Sequence, residues 1–272
     1  MNGETSPRRE LHDLYDRAFF DELSADTRSS AERIVPFVVD LLRPQSVLDV
    51  GCGLGTWLEA FRCNNVREVA GIDGPHVAVD DLEIPRECFI GHDLSEPFDL
   101  ARRFDLVVSL EVAEHLDATC APMFVETLVR HAPAVLFSAA IPFQGGAGHV
   151  NERWPSYWAG LFARHAFVAI DVVRPHVWND PTVAFWYAQN TILYVEASHP
   201  VVAAPAPTSA ASPDSPTVPL DLVHPALHVR DHTTIKPPPP PPSLSRVLRD
   251  LPGAVRRAAH NRVPGNKRRA RP

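Results

Sequence analysis

The stretch Val47-Leu48-Asp49-Val50-Gly51-Cys52-Gly53-Leu54-Gly55-Thr56-Trp57 reads as an apolar strand that runs into three glycines at alternate positions and then into a helix. Residues without side chains let the backbone turn tightly and lie against a ligand, while the first amides of the following helix face the same crevice. Eighteen residues beyond Gly55, a second apolar run, Glu68-Val69-Ala70-Gly71-Ile72, ends in Asp73. A carboxylate at that place accepts hydrogen bonds from both hydroxyls of a ribose. The two features together read as a nucleoside site.

Outward from this pair, apolar runs alternate with helical patterns. Residues 46–50, 68–72, 87–91, 104–110 and 133–139 are expected as buried strands with helices between several of them, which implies a parallel sheet covered on both faces. The last two strand candidates, 167–174 and 188–195, are separated by a loop carrying Pro175 and Pro181 and by no long helix, so an antiparallel pairing and a reversed edge strand are expected. Upstream, Leu11, Leu14, Tyr15, Ala18 and Phe19 repeat at helical spacing, and 31–42 continues as a second helical segment despite Pro36. These segments are expected to cover the sheet or to fold over the site as a lid, with Tyr15, Phe19 and Phe20 as its aromatic face.

After Glu196 the composition changes. Of the 28 prolines, 13 fall between 197 and 245, a content that cannot build a core. The six consecutive prolines at 237–242 predict an extended left-handed spacer of about 19 Å. Four segments result: a helical cap at 1–45, the main domain at 46–196, a Pro/Ala-rich linker at 197–245 and a basic tail at 246–272. The fold class expected is α/β, a Rossmann-like doubly wound sheet with a disordered Pro-rich C-terminal extension.

Charge divides along the same line. Residues 1–196 hold 15 basic against 29 acidic side chains, whereas 246–272 hold nine basic and one acidic. An acidic body argues against nucleic acid as the partner, while the basic tail suits an anionic or membrane surface, Leu244, Val247, Leu248, Leu251 and Val255 recurring there at near-helical intervals. Cys52, Cys63, Cys88 and Cys120 occur singly, which indicates neither a zinc site nor a disulfide framework. No apolar stretch approaches the roughly 18 residues of a membrane span, and the reading is of a cytoplasmic protein with reduced thiols.

Glycine-rich turns of this kind serve both dinucleotides and adenosyl sulfonium cofactors. The dinucleotide fingerprint sets its third glycine three positions after the second, leaving room for a pyrophosphate; here Gly51, Gly53 and Gly55 alternate. Asp49 adds negative charge where phosphates would approach, which suits a cationic sulfonium with an ammonium group better than a diphosphate. With these residues in view, the chain resembles the class I S-adenosylmethionine-dependent methyltransferases, of a bacterial small-molecule or glycan-associated type, over roughly residues 45–195. The resemblance rests on the Val47 to Gly55 segment, on Gly71-Ile72-Asp73-Gly74, on Gly91-His92-Asp93-Leu94 and on Phe104-Asp105-Leu106-Val107-Val108-Ser109-Leu110-Glu111-Val112-Ala113-Glu114-His115-Leu116. It implies a seven-stranded sheet with the last strand antiparallel. It also implies S-adenosylmethionine as cofactor, with Asp49, Gly51, Cys52, Gly53 and Gly55 at its methionine portion, Asp73 and Gly74 at the ribose, Asp93 and Leu94 at the adenine, and Ser109, Leu110 and Glu111 beneath it.

Methyl transfer asks the protein for alignment, exclusion of water and removal of a proton from the acceptor. His115, after the fourth strand, and His149, in the loop Ile141-Pro142-Phe143-Gln144-Gly145-Gly146-Ala147-Gly148-His149-Val150-Asn151-Glu152-Arg153-Trp154, which is read as acceptor-binding, are the candidate bases, and Glu152 is a third catalytic candidate. Asn151 is read as an amide clamp and Trp154 as an apolar wall for the acceptor. His115, His149 and Glu152 are metal-ligand types, but they come from separate loops with no diagnostic spacing, so no metal is expected. The acceptor expected is a small molecule, sugar or secondary metabolite methylated on oxygen. A nucleic-acid-modifying enzyme and a non-catalytic cofactor-binding scaffold stand as alternatives.

Overall fold

The computed structural model describes residues 17–203 and 220–233, and of these the side chains of 25–202 and 220–230. Seven strands form one sheet: β1 (Ser46–Val50), β2 (Glu68–Asp73), β3 (Phe89–Gly91), β4 (Leu106–Leu110), β5 (Ala134–Ser138), β6 (Phe167–Ile170) and β7 (Ile192–Glu196), in the spatial order β3-β2-β1-β4-β5-β7-β6. β1 through β5 pair in parallel, while β7 runs antiparallel to both neighbours. The reversed strand therefore lies one place inside the sheet, and β6, not β7, forms the edge. β7 belongs inside because every residue from Ile192 through Val195 is buried, whereas β6 keeps one buried residue, Phe167, and leaves Val168 exposed.

Alternation with a period of two divides the strands between two cores. Val47, Leu106, Val108 and Leu136 face one layer, against Ile34, Val35 and Val38 of α1 (Arg17–Leu42) and Trp57, Leu58 and Phe61 of α2 (Thr56–Cys63). Leu48, Val50, Val107, Val135 and Phe137 face the other, against Phe124, Val125 and Leu128 of α3 (Ala121–His131) and Trp158, Leu161 and Phe162 of α4 (Pro155–Ala163). Truncating one of these fully buried leucines, such as Leu48→Ala, is expected to cost about 2–5 kcal/mol.

The upstream segment is one helix across Pro36 rather than two. Its buried stripe, Ala31, Ile34, Val35 and Val38, lies against the sheet face, so packing compensates for the backbone bond that proline forgoes. This part of the cap covers the sheet. Leu11, Leu14 and Tyr15 lie outside the described residues, as do the side chains of Phe19 and Phe20, so the lid expectation falls there. Near the other end, 167–174 is not one strand: after Ile170 the chain turns into α5 (Val173–Val177), and the start of 188–195 belongs to α6 (Phe185–Asn190). The turn is fixed by Arg174, 1% exposed, which reaches back with two nitrogens to Asp171 at 2.9 and 2.6 Å. A buried guanidinium needs such a partner, and the pair closes a helical turn that an extended strand could not supply.

A larger departure concerns the segment assigned by composition to the linker. α7 (Pro200–Ala203) follows β7 directly, and residues 220–229 return to the main body, which as a compact unit runs to Val229. Arg174 Nη1 donates to the Leu220 carbonyl at 2.6 Å, Ser156 donates through backbone and hydroxyl to the two oxygens of Asp221, and the His224 amide donates to Gln189 Oε1 at 2.7 Å. Leu227, in α8 (Pro225–Thr233), is buried. The polyproline run and the basic tail lie outside the described residues. Among the described residues, no helix is long and apolar enough to cross a membrane.

Candidate active site

The order of strands reverses between β1 and β4, and the loops that leave their C-terminal ends diverge there to open a crevice. The glycine turn lies at this point. Gly51, Gly53 and Gly55 all have positive φ, and for two of them the neighbours leave no room for a side chain: a Cβ on Gly51 would stand 2.3 Å from Val112 and one on Gly55 2.9 Å from Ile84. Gly53 differs, because its missing Cβ would meet nothing within 4 Å among the described residues. The turn is thus packed from behind and open at its middle glycine.

Two carboxylates flank it. Asp73, at the end of β2, accepts from the Gly53 amide through one oxygen and from the Gly74 amide through the other, both at 2.6 Å. A carboxylate offers about four lone-pair positions, so each oxygen retains capacity for a ligand hydroxyl. Asp49 is 2% exposed, and among the described residues its Oδ2 has no hydrogen-bond partner. Burial holds its carboxyl well above the usual range, and the charge of Asp73 acts in the same direction. Burial also raises Asp73, against the Gly53 amide, His76 and the Gly74 amide, which favour its ionised form. Cys52 is buried beside them, its thiol pushed up by burial and then by Asp49 and Asp73, which makes it an inert wall.

Asp93 follows β3 at the same sheet edge and is exposed; its Oδ1 accepts from the amide and hydroxyl of Ser95 at 3.0 and 2.6 Å, closing a local turn, while Leu94 is buried. Ser109 and Leu110 are buried at the end of β4, and among the described residues Ser109 Oγ has no partner. Glu111 has φ 55°, a left-handed backbone that costs a non-glycine residue about 1–3 kcal/mol. Its amide bonds Ser138, and its two oxygens accept from Gln144 Nε2 at 2.9 Å and Asn190 Nδ2 at 3.0 Å. Burial raises its pKa and these donors oppose the shift. Gln144, Gln189 and Asn190 extend this network away from the site, Gln189 and Asn190 both donating to Gln144 Oε1. The sequence reading placed Gln144 in the acceptor loop without a role of its own and missed Gln189 and Asn190. A glutamine followed by an asparagine directly before an apolar strand is the signal that could have marked them.

The candidate catalytic residues come together. The rings of His115 and His149 stand edge to face with centroids 4.9 Å apart, and His149 Nδ1 lies 3.0 Å from Glu152 Oε1. Glu152 also accepts from the amides of Phe143 and Gly145, at 2.8 and 2.7 Å, so it orders the glycine loop as well as the imidazole. Burial, reinforced by His149, holds His115 down to about 4 against a hydrogen bond to the Gly148 backbone. Its imidazole is therefore neutral at pH 7. Asn151 does not clamp a ligand: it is 3% exposed and its amide donates to the Ala113 carbonyl, tying the loop to the turn at Ala113–His115. Trp154 is exposed beside the loop, as the acceptor-wall reading requires, whereas Trp158 is core. Glu114, adjacent to His115, is fully buried, and among the described residues neither of its oxygens makes a well-formed hydrogen bond; burial, then the charge of Glu111, raises its pKa well above the usual value, against the backbone of Glu114 and Ala140.

The family model described as a methyltransferase domain matches residues 9–168, more than half of the chain, and the chain belongs to that family. No curated protein matches it by sequence. Among solved structures, the fold is similar to magnesium protoporphyrin IX methyltransferase (ChlM) from Synechocystis PCC 6803 with bound SAM, at TM-score 0.50 and 16% identity over 72% of this chain and 100% of that one. The same enzyme with bound SAH gives TM-score 0.50 and 15% identity over 70% and 100%. DesVI of Streptomyces venezuelae matches at TM-score 0.49 and 17% identity, covering 71% and 100%.

Proposed function

We propose that the protein transfers the methyl group of S-adenosylmethionine to an oxygen of a small molecule, sugar or secondary metabolite. The observation that carries this reading is Asp49, a buried carboxylate with an unanswered oxygen behind an open glycine turn and beside Asp73. Burying a carboxylate without a partner is costly, and a ligand that brings positive charge to the turn removes the cost. Bound there, S-adenosylmethionine supplies an electrophilic methyl group on a positively charged sulfur. The bound SAM of the similar ChlM structure supports the same choice of ligand.

In this reading Asp49 faces the cationic portion, with Gly51, Cys52, Gly53 and Gly55 forming the cradle; Asp73 and Gly74 hold the ribose; Asp93 and Leu94 adjoin the adenine. Ser109, Leu110 and Glu111 form the floor. His149, oriented by Glu152 with Nε2 free of that bond, and neutral His115 receive the acceptor's hydroxyl and hold or accept its proton. Exposed Phe143, Val150 and Trp154 rim this side with apolar surface, which suits an acceptor with an apolar or planar body.

Calorimetric titration of the full chain with S-adenosylmethionine tests the cofactor half, with binding expected for the natural protein and lost in Asp73→Ala. Incubation with methyl-labelled cofactor and fractionated small molecules tests the acceptor half. Label appearing on a carbon or nitrogen of the product, or on nucleic acid alone, overturns the assignment to oxygen of a small acceptor.

A further inference from the structure

We propose that Glu114, His115 and His149 form a binding site for one divalent transition-metal cation beside the cofactor crevice. One ligand atom from each lies within 4.8 Å of the others, an envelope that small side-chain rotations close around a single ion. The sequence separates His149 from the other two by more than thirty residues, and the fold brings them together. The assembly is held by backbone: the Glu114 carbonyl accepts the amides of Val150 and Asn151 at 2.8 and 3.0 Å, which presses the glycine loop onto the turn that carries Glu114 and His115.

Two independent observations point to a cation. Among the described residues, Glu114 is 0% exposed and neither of its oxygens makes a well-formed hydrogen bond, with only the backbone of Glu114 and Ala140 and the Glu111 carboxyl acting on it, whereas Glu111 and Glu152 are each bonded through both oxygens. This buried carboxylate is thus short of firm donors and lies beside two imidazoles. The second is the pair His149–Glu152. With Nδ1–H donated to the carboxylate, Nε2 carries the lone pair, and this is the arrangement by which an outer carboxylate fixes the tautomer and direction of a ligating histidine. Glu152, counted by residue type among the ligand candidates, thus serves the second tier, and Glu114 takes its place in the first.

Two imidazoles with one carboxylate favour manganese, iron, cobalt or zinc over magnesium or calcium, which prefer oxygen alone. Three protein ligands leave positions open. A hydroxyl placed at one of them would be oriented and made more acidic, its proton passing to solvent, so that with the ion in place His115 and His149 act as ligands and the base role given them above applies to the ion-free site. That use of the ion rests on the methyl-transfer reading, whereas the site itself does not.

The test uses the full chain, stripped with chelator and titrated with Mn2+ while the free ion is followed by electron paramagnetic resonance. A single equivalent is expected to bind. Binding is expected to vanish in His149→Ala and in Glu114→Gln, and to weaken by about 10-fold to 100-fold in Glu152→Gln. Circular dichroism and S-adenosylmethionine titration of the same variants, both expected unchanged, show that they remain folded. Should Glu114→Gln fail to fold, His149→Ala and Glu152→Gln, both altered on the partly exposed loop, carry the test. No binding tighter than about 1 mM by the natural protein, or equal binding by the His149 variant, overturns the site. Metal binding without cofactor binding leaves the site standing and overturns the methyl-transfer reading instead.

Discussion

At Asp49, burial and the neighbouring charge of Asp73 keep a proton on the carboxyl far above the pH at which a free aspartate loses it, so a cation that binds there must expel the proton. Binding of S-adenosylmethionine is therefore expected to release protons, by up to one per ligand at a pH where Asp49 is still protonated in the free protein. The sign follows from linkage: the ionised form binds, so affinity rises with pH while Asp49 titrates and levels off once it is ionised without ligand. Titration calorimetry in buffers of different ionisation enthalpy reads this directly, and Asp49→Asn removes the buffer dependence. A binding heat independent of buffer at every pH would place the cation elsewhere. Asp49, Asp73 and the glycines were legible in the sequence because strand, turn and acid are neighbours along the chain or one crossover apart. Glu114 was not, although it stands inside a quoted motif. Its main chain is tied to Val150 and Asn151, more than thirty residues away, and no local pattern carries that information.

At the scale of elements, the segment 220–229 is where composition misled. Its setting among prolines reads as linker, yet Asp221 meets Ser156, His224 meets Gln189 and the Trp178 carbonyl, and Leu227 is buried. Three short, well-spaced contacts leave no periodicity to read. The strap also reaches toward the site, since Gln189 takes the His224 amide on one side and gives its own amide to Gln144 on the other, and Gln144 bonds Glu111. Leu227→Ala is expected to lower stability by about 2 kcal/mol and Asp221→Ala by about 1 kcal/mol, measured by urea denaturation of the full chain. Unchanged midpoints for both would show that the segment contributes no stability to the domain. The strands themselves were legible wherever both faces are buried, as in β1, β4 and β5. The place of β7 was not, because a strand's neighbours are set by how α5 and α6 route the chain, and the run at 167–174 hides a helix that only the Asp171–Arg174 pair reveals.

Over the whole molecule, the sheet's two cores form a stiff platform, and the site is assembled on its carboxyl edge from turns that depart from β1, β2, β3, β4 and β5. The platform requires nothing of the ligand, but the edge does: Asp49, Ser109 and Glu114 all end in polar atoms that the described residues leave without a well-formed hydrogen bond. A ligand that answers even one of them binds the folded state alone, so its binding energy appears as folding stability. At a concentration 100 times its dissociation constant, S-adenosylmethionine is expected to stabilise the domain by about 2.7 kcal/mol, which for a domain of this size raises the melting temperature by about 5–10 °C. Asp73→Ala should abolish the rise. The same variant should melt close to the natural protein without ligand, because burial makes the ionised Asp73 costly and the two amide bonds it accepts offset that cost. A variant that melts far lower without ligand would make Asp73 a structural support of the glycine turn. A full ligand shift in the variant would move the ribose to another carboxylate, and Asp49, the one acid of the turn with an unanswered oxygen, would be the next residue to change.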